Sequence, residues 1–462
     1  MKNMQRMTIR DILNATGGTL LSGSEDTEIN QIITDTRKLT DGSLFIPLVG
    51  EKFDGHEFIK AAFDMGAAAV LTHNDTELLI DKTIIKVEDT LKALRDITAY
   101  YKKKYPLPTV AVTGSVGKTT TKDMLYAALS EKYNTLKTPN NFNNEIGVPI
   151  TVFMLEKEHE CAVIEMGMNH FGEIERLAEM GQPNVAVITN IGMSHIENLG
   201  SQEGIFKAKM EITKRFTKDN TLIVNGDDKF LSTTKGMGEY KVVYYGIDNP
   251  ENDVYAKDIV NNGLKGIEFT AVVDGKDYHV EVTQPGKHNV YNALAAICVG
   301  REFGVEIEDS IRGIKNCEYT SQRLEVDEFG GMQIINDCYN ASPDSIRAAL
   351  SVLKCATVPR KIAILGDVLE MGEFARDAHY ALGKAVVESN VDMLITAGEN
   401  AEYIARGAKD CGMENVVSFP KTLDVCNYVK DVLHEGDAVL IKASHGMHFE
   451  DIYNTIKTKE SL

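Results

Sequence analysis

No apolar run in the 462 residues approaches the roughly 20 needed to cross a bilayer, so no membrane insertion is expected. Met1–Arg10 lacks the apolar stretch of a secretory signal, and no signal peptide is expected either. Basic charge is scarce: 49 Lys and Arg stand against 68 Asp and Glu, a formal net charge of −19. Nucleic acid and membrane surfaces both call for a basic footprint, so neither is expected as a partner. Cysteines number seven, an odd count without C-x-x-C or zinc-type spacing. That pattern speaks for free thiols in a reducing cytosol, hence a cytoplasmic protein. There is no internal repeat, no low-complexity tract, no Ser/His/Asp arrangement and no G-x-G-x-x-G. What remains is 43% hydrophobic and 25% charged, an ordinary globular chain with ample core. Its length sets a prior of roughly three domains.

The most informative stretch runs from Thr109 to Thr121, Thr-Val-Ala-Val-Thr-Gly-Ser-Val-Gly-Lys-Thr-Thr-Thr. A β-branched apolar run enters a glycine-bearing turn and leaves as a helical pattern: strand, phosphate loop, helix. Thr113, Gly114, Ser115, Val116, Gly117, Lys118, Thr119 and Thr120 form the candidate nucleotide cradle. Backbone N–H groups and a helix N-terminus favour phosphate oxygens. Lys118 would reach the terminal phosphates, and the Thr119 hydroxyl would hold Mg²⁺. The usual loop has a further Gly six residues before the Lys; this chain has Val112 there, which marks a subtype.

Around this loop the chain reads as α/β in three domains. Residues 1–107 form a small α/β N-terminal domain, closed by the break at Pro106-Leu-Pro108. Within it, Asp35, Thr36 and Arg37 sit where a strand meets a loop, a place suited to ligand contact or to a solvated turn. Lys102-Lys-Lys104 ends a helix, and its charge suits a helix C-terminus. Residues 108–318 alternate strand and helix, as in a mostly parallel central P-loop domain, with a β-rich extension after Asn225. Residues 319–462 alternate again, as a C-terminal Rossmann-like domain.

In parallel sheets ligands bind beyond the carboxyl ends of the strands. At those ends lie the Asn-rich loop with Asn140, Asn141 and Asn143, then Glu165, and then His195. Glu165 suits Mg²⁺, which prefers oxygen ligands together with substrate phosphates and water. His195 is a softer choice, and taken alone it reads as a hydrogen-bonded loop histidine. Asn289 is placed to cap a helix, which leaves Asn292, inside it, less explained. The constellation asks for a nucleoside triphosphate with Mg²⁺, plus further ligands in a cleft between domains. An acid activated as an acyl phosphate and captured by an amine would use these parts; so would a kinase or a motor ATPase.

The loop Thr113-Gly-Ser-Val-Gly-Lys-Thr-Thr120 resembles that of the Mur ligase superfamily. So do Asp54-Gly-His-Glu-Phe58, Asn140-Asn-Phe-Asn-Asn-Glu-Ile-Gly147, Glu165-Met-Gly-Met-Asn169, the stretch from Asn190 to Gly200, Ala208-Lys-Met-Glu-Ile212 and Tyr339-Asn-Ala-Ser-Pro343. These matches point to the branch that joins D-Ala-D-Ala to UDP-MurNAc-tripeptide at the expense of ATP. The resemblance implies amide formation through an acyl phosphate, a UDP-sugar-binding first domain, and a monomer. It implies that Lys118 contacts phosphates, that Thr119 and Glu165 hold one Mg²⁺, and that His195 binds a second. It also implies a carbamylated lysine at Lys209, with Lys207 second in rank. Asn292 is implied at adenine, Arg323 at the γ-phosphate and Asp337 on the ribose side. Asp35, Thr36 and Arg37 fall in the UDP-sugar stretch, while Asn340 and Ser342 line the cleft. One departure stands out: after Ser444 the family usually has Arg, and this chain has His445.

Overall fold

The computed structural model describes residues 4–74 and 82–458. Residues 1–3, at the head of the Met1–Arg10 stretch, and 459–462, at the end of the third expected domain, lie outside the described residues. Three sheets organise the chain, and the α/β reading holds for each. The first has five strands in the order Thr19–Ser22, Thr83–Lys86, Ala69–Thr72, Ser43–Phe45, Gln31–Ile33. Only Thr19–Ser22 runs antiparallel to its neighbour. Among the described residues no helix is long and apolar enough to cross a membrane.

Helix Thr90–Lys104 carries the chain out of this first unit. Asp89 caps it by accepting from the N–H groups of Leu91 and Lys92. Its apolar face, Ala93, Leu94, Ile97 and Tyr101, is buried. The Tyr101 hydroxyl donates to the Leu155 carbonyl at 3.0 Å and accepts from Gln5 N–H at 2.9 Å, which ties the first unit to the second. Leaving two such buried partners unpaired costs about 1–3 kcal/mol each. The three lysines lie in the last turn of this helix, as expected, but in different surroundings. Lys103 is exposed and Lys104 pairs with Asp11, but Lys102 is buried with its Nζ on the Leu107 carbonyl at 2.8 Å. Burial pulls its pKa down to about 8. Helical periodicity placed it on the inner face, where the following Pro-Leu-Pro turn supplies a carbonyl.

The second sheet has nine strands in the order Thr135–Lys137, Cys161–Glu165, Thr109–Thr113, Val185–Ile188, Thr221–Asn225, Lys241–Gly246, Val254–Asn261, Ile267–Val273, Lys276–Val282. Neighbours are parallel as far as Val254–Asn261, and the last two strands add antiparallel pairs, which form the β-rich extension. Helices cover both faces of the parallel part, so its strands are continuous apolar runs: Val110, Ala111, Val112, Ala162, Val163, Ala186 and Val187 are fully buried. Thr109–Thr113 lies between Cys161–Glu165 and Val185–Ile188. The register pairs Val112 with Glu165 and Thr113 with Ile188, so all three strands end at one edge. Helix Lys118–Ser130 descends from that edge and packs against His288–Glu302, which is buried on nearly every side. Asn289 lies inside this helix rather than at its cap; its amide donates to the Pro285 carbonyl at 2.8 Å.

The third sheet has six strands in the order Glu325–Phe329, Met332–Asn336, Asp437–Lys442, Arg360–Gly366, Met393–Ala397, Val416–Phe419. The first pair is antiparallel and the rest parallel, the Rossmann-like pattern. Ser342 caps helix Pro343–Lys354 through a reciprocal pair with Ser345, which fixes where that helix points.

Candidate active site

The phosphate loop is a shape before it is a charge. Gly114 has φ of 153°, and a Cβ there would lie 1.8 Å from Thr189 Oγ1. Gly117 has φ of 86°, a left-handed turn that lets helix Lys118–Ser130 start at Lys118. The neighbouring segment braces the loop. The Asn190 side chain accepts from Val116 N–H and donates to the Val116 carbonyl, both at 2.9 Å. Thr189 Oγ1 donates to the same carbonyl at 2.6 Å, and Gly192 N–H donates to Ser115 Oγ at 2.9 Å. Lys118 curls back so that Nζ donates to the Gly114 carbonyl at 2.8 Å. Burial lowers its pKa, with Glu165 opposing and Arg323 reinforcing that shift. A desolvated ammonium beside free helix N–H groups gains most from an arriving anion.

On the other side of Lys118 stands Glu165, 1% exposed. Its Oε1 accepts from Thr119 Oγ1 at 3.3 Å and from Asn143 Nδ2 at 2.8 Å. Its Oε2 has no hydrogen-bond partner among the described residues, and the nearest cation is Lys122 Nζ at 3.9 Å. A buried carboxylate with one open oxygen next to a threonine hydroxyl is a fitting donor set for a hard cation. Among the described residues no group of three His, Cys, Asp or Glu forms a ready metal centre, so such an ion would draw on phosphates and water. His195 lines the same cavity and has a left-handed backbone (φ 63°). Its Nδ1 is 2.6 Å from Oε2 of Glu370, which reaches in from the third unit. That contact holds the Glu370 carboxyl below its ordinary pKa. Lys209 is buried while Lys207 is exposed. Burial, with Lys118 nearby, drives the Lys209 pKa well below the usual lysine value.

The cavity, ≈ 420 Å³, lies between the second and third units. The third unit lines it with Arg323, Asp337, Tyr339, Asn340, Ser342 and Lys442, among others. Asp337 Oδ2 takes Lys442 Nζ at 2.6 Å, and Asp337 Oδ1 takes Leu324 N–H at 3.2 Å. Lys442 Nζ also donates to the Asn340 carbonyl at 2.9 Å. Tyr339 carries the Arg323 guanidinium 3.9 Å from its ring centroid and stacks with His445 at 5.5 Å. His445 thus keeps a planar group at the position where an Arg was expected. Arg323 Nε is buried without a partner among the described residues, which leaves it free for an anion.

Most of the residues expected from sequence meet here; some do not. Ser115, Val116, Gly117, Lys118, Thr119, Thr120, Asn141, Asn143, Glu165, His195, Asn292, Arg323, Asp337, Asn340 and Ser342 line the cavity. Thr113 and Gly114 form the loop's buried floor. Asn292 sits behind Gly117, its amide engaged by Thr121 and Asn289. Asn140 is outside the lining, has φ of 45°, and gives its carbonyl to Lys122. Asp35, Thr36 and Arg37 form a self-contained turn on the first unit, with Asp35 accepting from Arg37 backbone and guanidinium. Sequence reading passed over Glu370, Asp344, Lys442 and His288. The signal available for Lys442 was a lysine at the buried end of an apolar strand; Glu370 and Asp344 had none, since their partners lie more than a hundred residues away.

Models of the Mur ligase family match three stretches in chain order. These are the Mur ligase family catalytic domain at 28–102, the Mur ligase middle domain at 112–300, and the Mur ligase glutamate ligase domain at 322–445. The chain is 40% identical over 457 residues to the UDP-N-acetylmuramoyl-tripeptide–D-alanyl-D-alanine ligase of Bacillus subtilis, covering 97% of this chain and 98% of the relative. Its fold is similar to the crystal structure of MurF from Acinetobacter baumannii, with a TM-score of 0.91, 30% identity and coverage of 98% and 99% of the two chains. It is also similar to MurF of Thermotoga maritima in complex with ADP, with a TM-score of 0.83, 26% identity and coverage of 93% and 98%. The chain belongs to the Mur ligase family.

His288 opens the helix beneath the cavity, and burial depresses its pKa from 6.5 to about 4. The folded protein therefore holds it neutral, while the unfolded chain protonates it below the ordinary histidine value. Its contribution to stability is whole above about pH 6.5 and is lost as pH falls toward about 4. In ¹³C-histidine-labelled protein, the resonance missing from His288→Gln is expected to stay fixed as pH falls from about 7.5 to 5.5. A midpoint near the ordinary histidine value would contradict the burial argument.

Proposed function

We infer that the chain is an ATP-dependent ligase joining D-alanyl-D-alanine to UDP-N-acetylmuramoyl-tripeptide, with ADP and phosphate as the other products. We place it in the cytoplasm as a monomer. The observation that carries the reading is that one cavity gathers a phosphate loop, a buried carboxylate with an open oxygen and the Arg323–Asp337–Lys442 group. The supporting chain-length likeness is to ligases of that name.

Lys118 and the N–H groups around it bind the terminal phosphates of ATP, and Arg323, with its unpaired Nε, takes the γ-phosphate. A tripeptide carboxylate oxygen attacks the γ-phosphorus. The bond to the bridging oxygen breaks, ADP leaves, and an acyl phosphate forms. The dipeptide amine then attacks the acyl carbon and loses a proton; the tetrahedral intermediate expels phosphate and leaves the amide. Mg²⁺, held by Thr119 and Glu165 with a second ion at His195, would supply charge neutralisation on the phosphates. Asn292 serves the adenine and Asp337 the ribose side. Residues 1–107, through Asp35, Thr36 and Arg37, hold the UDP-sugar, while residues 108–318 bind ATP. Asn141 and Asn143 face the tripeptide substrate, and Asn340 and Ser342, in residues 319–462, line the dipeptide side.

Lys209 carries a carbamate in this reading. Its neutral amine attacks CO₂, an N–C bond forms and a proton leaves, turning a buried cation site into an anion that orients Mg²⁺. Burial keeps the amine neutral enough to react. Lys209→Ala is expected to be nearly inactive and partly restored by small carboxylates; wild-type turnover in that variant would remove the carbamate. The assignment as a whole is tested by phosphate release from ATP with UDP-MurNAc-tripeptide, with and without D-Ala-D-Ala. Release that needs both substrates, with pentapeptide seen by mass, is expected; release indifferent to the dipeptide would refute it.

A further inference from the structure

Arg323, read above as the residue that takes the γ-phosphate, sits in the stretch 316–324. That stretch carries the chain from helix Ile307–Lys315 of the second unit to strand Glu325–Phe329 of the third. Arg323 is flanked by two left-handed residues, Gln322 (φ 62°) and Leu324 (φ 50°), a conformation uncommon for residues with a side chain. Such a backbone persists only where its surroundings hold it. The third unit holds it from one side: Gln322 N–H donates to Glu325 Oε2 at 3.0 Å, and Leu324 N–H to Asp337 Oδ1 at 3.2 Å. The second unit holds it from the other. The Gln284 amide donates to the Arg323 carbonyl. Thr320 donates twice to Asp123 Oδ2, from its N–H at 2.9 Å and from its hydroxyl at 2.8 Å.

Asp123 is 1% exposed and lies inside helix Lys118–Ser130, where a buried carboxylate is costly unless it is paired. Lys137 Nζ meets its Oδ1 at 2.8 Å, with Lys122 Nζ at 3.6 Å, which leaves Oδ2 to Thr320. We propose that Asp123 is a positioning residue for Arg323: by holding Thr320 it fixes the stretch that carries the guanidinium relative to the phosphate loop. This rests on the reading of Arg323 as the γ-phosphate ligand. The guanidinium has little of its own to steer it. Its Nε is unpaired among the described residues, and the group rests 3.9 Å from the Tyr339 ring centroid. Its direction therefore depends on where the backbone is held. Helix Lys118–Ser130 begins with Lys118 and carries Asp123 further along, so one rigid element sets both cations of the phosphate site.

Binding of ADP and of the imido-bridged analogue of ATP, each with Mg²⁺, tests this by calorimetry on the full chain. The preference for the triphosphate over ADP reads the γ-phosphate contacts. Arg323→Ala is expected to lower that preference by about 10-fold or more. Thr320→Val deletes the hydroxyl donor and keeps the shape; it is expected to lower the preference by about 3-fold or more, and Thr320→Ser to restore it. Asp123→Ala is expected to act at least as strongly as Thr320→Val. Adding Thr320→Val to Arg323→Ala is expected to lower the preference no further. A purely structural role for the Asp123–Thr320 contact would weaken both nucleotides alike. An unmoved preference in Thr320→Val, with Arg323→Ala lowered, would overturn the proposal and leave Arg323 as the γ-phosphate ligand. An unmoved preference in Arg323→Ala would overturn that reading and this proposal with it.

Discussion

The two-way hydrogen bond between the Asn190 amide and the backbone of Val116 is the contact on which the rest of the site depends. A phosphate loop must hold several N–H groups pointing inward with no ligand present, against the tendency of an exposed turn to collapse. Here Asn190 satisfies both polar groups of Val116, Thr189 packs under Gly114, and the loop is fixed from its flank. The strand order makes this possible, because Val185–Ile188 is the immediate neighbour of Thr109–Thr113 and ends beside it. It also explains why Val112 is tolerated where other phosphate loops have glycine. Val112 is still strand, in register with Glu165 and fully buried, and the turn begins two residues later.

The electrostatics run against the chain's overall sign. A net charge of −19 surrounds a cavity lined by Lys118, Arg323 and Lys442, with Lys209 buried close to Lys118. Desolvation holds Lys118, Lys209 and Lys442 below the ordinary lysine pKa. Each is therefore poised for a partner that relieves its desolvation, and Lys442 already has one in the Asp337 carboxylate. Glu165 is the mirror case, a buried anion with one oxygen left open for a cation. The site is a set of unpaired or half-paired buried charges that a nucleotide with its metal would complete.

How much of this was legible in the sequence depends on the range of the interaction. The phosphate loop is local, and its glycines, lysine and threonine could be read directly. Glu165 followed from one general rule, that parallel strands end at the binding edge. Lys209 over Lys207 followed from the family resemblance, with Lys207 off the matching face, and the structure buries the first and exposes the second. Contacts between units were not legible. Nothing in Val-Leu-Glu-Met-Gly marks Glu370 as the partner of His195, and nothing near Pro343 marks Asp344 as an acceptor for Met193. Lys102 does end its helix, as the charge pattern said, but its burial on the Leu107 carbonyl was not legible from charge alone.

The account's central claim is that the two halves of the cavity meet on one reaction, a carboxylate oxygen taking the γ-phosphoryl group. Tripeptide substrate labelled with ¹⁸O in its terminal carboxylate tests this directly when incubated with ATP and D-Ala-D-Ala. Mass spectrometry of the released phosphate should find one ¹⁸O per phosphate, with the other retained in the new amide carbonyl. Phosphate free of ¹⁸O would mean that the carboxylate never bonded to phosphorus, and the account would be wrong.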